Sequence, residues 1–314
     1  MPHSRPLTHR QAVLTMIVVT LMWSIAGVVS RHLDAARTFE VTFWRSAVNA
    51  VALAGLLVAW RGAGPLWRQI RDGGWLLWAS SACWCVMFTA FMVALTLTTV
   101  ANLLIIMSLA PLFTALIARL ALGHRLPWRT WGAIAVAAGG IAWMYGPQMA
   151  GGDERHLWGS LIGLTVPLAG ATMWTLLQHS SQAGAAAPRD MTPAVLLGSL
   201  GSAVLTLPGA WPFQATVHDL ALLGLLGVVQ LAVPCVLAVA AGKVLKAPEA
   251  ALLGLLEIVF GVAWTWLGTD ESPTPAVLGG GGLVLLALAG NEALALWGGR
   301  GGREPSAEGG TLPA

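Results

Sequence analysis

Residues 251–268 read ALLGLLEIVFGVAWTWLG, and a single side chain among them is charged. It is Glu257, with Leu256 before it and Ile258 after it. An apolar run of this length reads as a helix that crosses a membrane. Insertion scales put an acid at the centre of such a helix at a cost of about 3 kcal/mol. A protein tolerates that when the carboxylate faces a wet cavity, meets a partner or is protonated. The same stretch therefore raises the question of fold and the question of function.

The chain around it is equally apolar. Of its 314 residues, 56% are hydrophobic and only 10% are charged, against about 25% charged in a soluble domain. Too little polar surface remains to cover a core in water, so the chain reads as an integral membrane protein. Its net charge is +3, and no basic face carries interleaved aromatics, which argues against nucleic acid as a partner. Cys83, Cys85 and Cys235 all lie in apolar runs. An odd count makes a disulfide framework a poor reading, and Cys-x-Cys is not a zinc spacing. Small apolar packing is the simpler role. The first apolar segment follows the basic stretch MPHSRPLTHR, like the core of a signal peptide. It runs on to Ser30 without an A-x-A site, so it is read as a retained first span.

Runs of roughly 20 apolar residues recur ten times, near 11–30, 39–60, 74–95, 99–121, 128–146, 158–180, 192–210, 219–241, 248–268 and 275–297. With the N-terminus in the cytoplasm, thirteen of the 17 Lys and Arg fall in inner segments, and Arg31, Arg37 and Arg155 fall in outer ones. That bias predicts ten spans with both termini cytoplasmic. Residues 298–314, Gly-rich and polar, are expected to form a disordered cytoplasmic tail. Trp60, Trp67, Trp75, Trp78, Trp128, Trp131, Trp211 and Trp297 fall near the ends of expected helices, where indoles suit the headgroup boundary. Trp23, Trp84 and Trp174 lie deeper.

The two halves resemble each other weakly. LMWSIAGVVSR (21–31) sits against TMWTLLQHSSQ (172–182), pairing Trp23 with Trp174. A shift of 147 residues then lays 103–124 on 250–271, with Ala110 on Glu257, His124 on Glu271 and Gly132 on Gly279. Two five-span halves, 1–150 and 151–297, would run through the membrane in opposite senses. Such inverted repeats are common in secondary transporters, with the substrate near the midplane.

The segments MWSIAGVVSR (22–31), FWRSAVNAVAL (43–53), 101–142 and 248–285 resemble the drug/metabolite transporter superfamily in its EamA-type branch. Closest in character are the bacterial aromatic amino-acid exporters of the YddG type. The resemblance implies an all-α basket of ten helices around a central cavity, alternating access, export from the cytoplasm and residence in a bacterial inner membrane. It implies amino acids as small-molecule substrates, membrane lipid as surroundings, and no cofactor. Two positions depart from the family pattern: His124 stands where Glu usually follows "LG", and Ile258 stands where Pro follows the acid.

Within this frame, candidate cavity residues are Trp23, Trp84, Asn102, Trp174, Gln178, Gln230 and Glu257. Counted from Ala250, Glu257 lies about 10 Å into its span. It could bind a substrate ammonium, carry a proton, or pack as a neutral acid; intramembrane acids generally mark pathways. Arg45 is read as snorkelling or satisfying helix-end carbonyls in preference to binding a substrate carboxylate, and at a different depth from Glu257. Asn102 caps or faces the cavity mouth, and Asn49 ties helices together. Gln178 follows Trp174 by one turn on the same face. Trp84 forms an aromatic stripe with Phe88 and Phe91, a pattern usually devoted to packing. Pro111 and Pro234 are candidate hinges. No HExxH, G-x-S-x-G, paired midspan Asp or metal-ligand cluster occurs, so the chain does not read as an enzyme. Export of other metabolites or drugs, such as nucleosides, and lipid translocation remain the alternatives.

Overall fold

The computed structural model describes residues 7–30, 32–98, 100–123, 127–145, 154–182, 190–268 and 275–300. All regular structure among them is helical. His124, Glu271 and residues 301–314 of the expected tail lie outside this description.

Thr8 opens the first helix, α1 (His9–Trp23), with a capping box. Its hydroxyl accepts from the Gln11 amide at 3.3 Å, while the Gln11 side chain accepts from the Thr8 amide at 2.8 Å. Two donors that a helix start leaves bare are thus satisfied. The helix breaks at Ser24–Ile25 and resumes as α2 (Ala26–Ser30). A long α3 (Thr38–Arg61) ends at Gly62, whose φ of 83° only glycine adopts freely. There the chain turns into α4 (Ala63–Arg71), a short amphipathic helix with Trp67 exposed and Leu66 buried. Then come α5 (Gly74–Leu97), α6 (Val100–Met107), α7 (Ala110–Leu122) and α8 (Trp128–Tyr145). The later part holds α9 (Glu154–Gln182), α10 (Thr192–Ala210), α11 (Val217–Leu225), a π-helical segment (Leu226–Ala232) and α12 (Val233–Ala241). It ends with α13 (Ala247–Gly254), α14 (Leu256–Gly268) and α15 (Pro275–Arg300).

Among the described residues, seven helical stretches are long and apolar enough to cross a membrane: 9–30, 39–61, 74–97, 157–181, 192–210, 217–241 and 247–264. The remaining three expected runs are helical as well. The fourth is cut at Ser108–Leu109 into α6 and α7. The fifth, α8, carries Arg129 and a Gly pair, and the tenth, α15, carries four consecutive Gly and Asn291. The last helix also continues to Arg300, into the segment expected to be tail.

Shifted by 147, the bounds of α6 become those of α13, and α7 falls within one residue of α14. The fourth and ninth runs are thus interrupted at corresponding places.

Packing follows small and hydroxylated residues, as it must where apolar surface alone does not drive helices together. On α10, Gly198 leaves room for Trp84, since a Cβ there would lie 2.4 Å from the Cβ of Trp84. Beside it Asn49 donates to Ser199 at 2.7 Å, and Ser46 and Thr89 donate to Ser202 at 3.1 and 2.9 Å. These bonds join α3, α5 and α10. Asn49 ties helices together as its sequence position suggests. Gly140 of α8 meets the backbone of Gly280 in α15.

Candidate functional site

The site begins with two glycine-permitted approaches and several broken helices. Gly227, in the π-helical segment, lies against Val48 and the Arg45 carbonyl of α3. A Cβ at Gly227 would come within 2.6 Å of Val48. That closeness lets Arg45 reach Gln230, three residues on from Gly227. The π segment precedes Pro234, which lacks an N–H and would clash with the carbonyl four residues back in an α-helix. A wider turn relieves that, and the Val233 N–H bonds back to the Val228 carbonyl.

Arg45 is 9% exposed. Its Nη2 donates to Gln230 Oε1 at 2.9 Å, and its Nη1 points at the Met92 sulfur at 3.4 Å. Its Nε is buried without a partner. Gln230 in turn donates through Nε2 to the Trp23 carbonyl at 3.3 Å, the last residue of α1 before the break. One residue on, the Ser24 hydroxyl donates to the Leu21 carbonyl at 2.7 Å and accepts from the Trp264 indole at 3.0 Å. The break between α1 and α2 is therefore held from two sides, by the π segment and by α14. Discontinuous helices of this kind expose backbone polar groups where they border a cavity.

Glu257 opens α14 just after the interruption at Leu255 and is half-buried. No hydrogen bond from a described residue reaches its carboxylate. It interacts electrostatically with Arg45, yet the pair does not close into an ion pair. The sequence reading had put these charges at separate depths because it began the ninth span near Ala250. The helix begins at Ala247, which moves Glu257 to about 15 Å along it. The two charges approach from α3 and α14.

The sequence candidates divide accordingly. Trp23 and Gln230 are hydrogen-bonded to each other, Gln230 also holds Arg45, and Glu257 interacts electrostatically with Arg45. Trp264 was not singled out because an apolar run gives no cue to which indole finds a hydroxyl. Trp84 is 1% exposed, between Gly198 and the Phe88 ring at 5.4 Å. Trp174 packs with Leu177 on Gly242 at the end of α12. Gln178 accepts from the Ala247 amide at 2.9 Å, capping α13 from α9. Pro111 and Pro234 each stand in the first turn of a helix that follows an interruption, α7 and α12. The Asn102 side chain lies outside the described residues.

A second polar group lies between the loop after α2 and the start of α11. Asp34, His218 and Asp219 bring possible ligand atoms within 4.8 Å of one another. Both Asp219 oxygens are already occupied by the amides of Asp34, Ala35, Ala36 and Thr216, at 2.7 to 3.2 Å. The carboxylate fastens the loop after α2 to the start of α11, a structural task that leaves little of it for an ion.

Residues 10–146 match the EamA-like transporter family. The matched stretch covers less than half of the chain and holds several of its apolar helices. No curated protein matches the chain. One crystal structure of a protein superposes with a TM-score of 0.73 at 16% identity, covering 92% of this chain and 99% of its own. At that identity the likeness is one of fold.

Proposed function

We propose that this chain is a secondary transporter that exports neutral amino acids, aromatic ones included, and related small metabolites by alternating access. The observation that carries the reading is Arg45, bonded to Gln230 and interacting electrostatically with Glu257, beside interrupted helices. Charge within the membrane at such a place is by default a candidate for a substrate or ion path. The EamA-like match over 10–146 supports a transporter. The corresponding interruptions of α6–α7 and α13–α14, 147 residues apart, support two related halves. Opposed halves would have the cavity between them, with Glu257 binding the substrate ammonium or carrying a proton. The Lys and Arg bias supports cytoplasmic termini, and the outward direction and bacterial inner membrane rest on the family resemblance.

The test is flux in proteoliposomes with labelled phenylalanine and threonine, with and without a pH gradient, for wild type and Glu257→Gln. Saturable flux of both, reduced at least about tenfold by the substitution, is the expected result. Flux that survives Glu257→Gln and ignores pH makes Glu257 a packing acid. If no amino acid moves, the substrate class is wrong.

A further inference from the structure

We propose that Arg45 is the carboxylate-binding residue of the transport site, and that with Glu257 it selects zwitterions. This rests on the amino-acid transport reading above and makes it more specific. Arg45 is held in place by Gln230 yet is incompletely satisfied. An arginine offers five donors in a rigid planar fork. Here Nη2 has a good acceptor, Nη1 has only a thioether at 3.4 Å, and the buried Nε has none. An unpaired buried donor on a cation is costly, so something else accepts from it during the working cycle. The fork fits a carboxylate, which accepts two parallel N–H bonds.

The second observation concerns the missing contact. Arg45 and Glu257 interact electrostatically, and no bond between them is formed. A purely structural pair of buried charges gains most by closing, because separated charges keep their desolvation cost without the attraction that offsets it. This pair stays open, from different helices, with Glu257 half-buried and unbonded among the described residues. An α-amino carboxylate would answer both groups at once, its carboxylate on Arg45 and its ammonium on Glu257. The same charges define what is refused. An amine without a carboxylate leaves Arg45 unpaired and adds a cation beside it. A carboxylate without an amine does the same to Glu257. A phosphate ester brings two negative charges towards a site whose formal charges cancel. A group left unpaired in a buried site costs discrimination factors well above those of a lost methylene.

The experiment uses the full chain in proteoliposomes, with labelled phenylalanine as the transported species. Unlabelled phenylalanine, phenethylamine and 3-phenylpropionate are the competitors, for wild type, Arg45→Gln and Arg45→Lys. In wild type, each analogue lacking one charge should compete at least about tenfold more weakly than phenylalanine. In Arg45→Gln the half-saturating phenylalanine concentration should rise about 30-fold, the scale of a lost charge-assisted hydrogen bond. Phenethylamine should then compete as well as phenylalanine. Arg45→Lys should recover part of the discrimination. A helix-tying role for Arg45 would change protein yield and thermal midpoint without changing this ranking. Unchanged half-saturation and ranking in folded Arg45→Gln overturn the assignment, while the transport reading stands. If Arg45→Gln does not fold, wild type still decides, since phenethylamine competing on equal terms also overturns it. A wild type that carries phenethylamine but no amino acid overturns both.

Discussion

Gln230 accepts from Arg45 and donates to the Trp23 carbonyl, so a single amide serves a buried cation and the end of an interrupted helix. Replacing it with Ala leaves both groups unpaired, at about 1–3 kcal/mol for each. The expected outcome is a clear fall in thermal midpoint in detergent, with Gln230→Glu closer to wild type because it still accepts from Arg45. Equal midpoints for wild type and Gln230→Ala would mean that other groups support the break. A second contrast isolates packing from chemistry. At Gly198 a Cβ would meet the Trp84 Cβ at 2.4 Å and the Ser81 carbonyl at 2.9 Å, whereas at Gly254 nothing lies within 4 Å. Gly198→Ala should therefore destabilise by about 1–3 kcal/mol through overpacking. Gly254→Ala should be neutral or mildly stabilising, because Ala is the better helix former. Thermal unfolding of the two variants side by side checks this. Of these residues, Glu257 is legible from sequence because an acid in an apolar run is conspicuous. Arg45 is just as visible, but its partner is not, since a three-residue error in a helix start moves a charge by about 5 Å. Trp84 shows the converse, for its spacing with Phe88 reads as a stripe whether it lines a cavity or fills one.

Interruptions are the least legible elements and the ones nearest the site. Uniform apolar runs make the helices themselves readable, and every one of the ten expected runs is helical. The break at Ser108–Leu109 has a signal in Pro111, and the π segment has one in Pro234. The breaks at Ser24–Ile25 and Leu255 have neither Pro nor Gly at the break itself. The first of these is supported by tertiary contacts: the Trp23 carbonyl accepts from Gln230, and the Ser24 hydroxyl bonds Trp264 and its own backbone. If the proline-marked interruptions are hinges, Pro111→Ala and Pro234→Ala restore a backbone donor and favour a continuous helix. Transport rate should then change severalfold with little change in thermal midpoint. Loss of folded protein in either variant would assign that proline to the fold instead. For Pro234→Ala, Arg45→Gln serves as a reference, since straightening the π turn would displace Gln230 and alter the same competition ranking.

At the scale of the molecule, α3 and α10 are fastened at both ends. At one end Asp190, before α10, pairs with Arg61 at the end of α3 and lies 3.5 Å from Lys243 after α12. It also accepts from the Thr192 amide and hydroxyl at 3.1 and 2.7 Å. At the other end, Glu40 of α3 accepts from the amides of Gln214 and Ala215, after α10, at 3.0 and 2.8 Å. Hydroxyl and amide bonds join the same helices between these points. In the proposed transport cycle a pair so held would be the fixed axis, with the interrupted α1–α2, α6–α7 and α13–α14 as the elements that move. The Asp190 fastening should be visible as pH dependence. Burial pushes its carboxyl upward, but Lys243, Thr192 and Arg61 together outweigh burial and hold it below the usual carboxylate range. A carboxyl depressed on folding contributes stability above its unfolded value, near 3.9, and loses it as pH falls through the folded value. Wild type should therefore exceed Asp190→Asn in thermal midpoint at pH 6 to 7. The gap should narrow as pH drops below about 4, and wild type should show the steeper decline. Parallel curves across that window would show that the Asp190 charge does not hold the axis. A gap that closes at low pH while flux of Asp190→Asn at neutral pH stays near wild type would place the fastening in stability alone, and the axis would then rest on the Glu40 end and the bonds between.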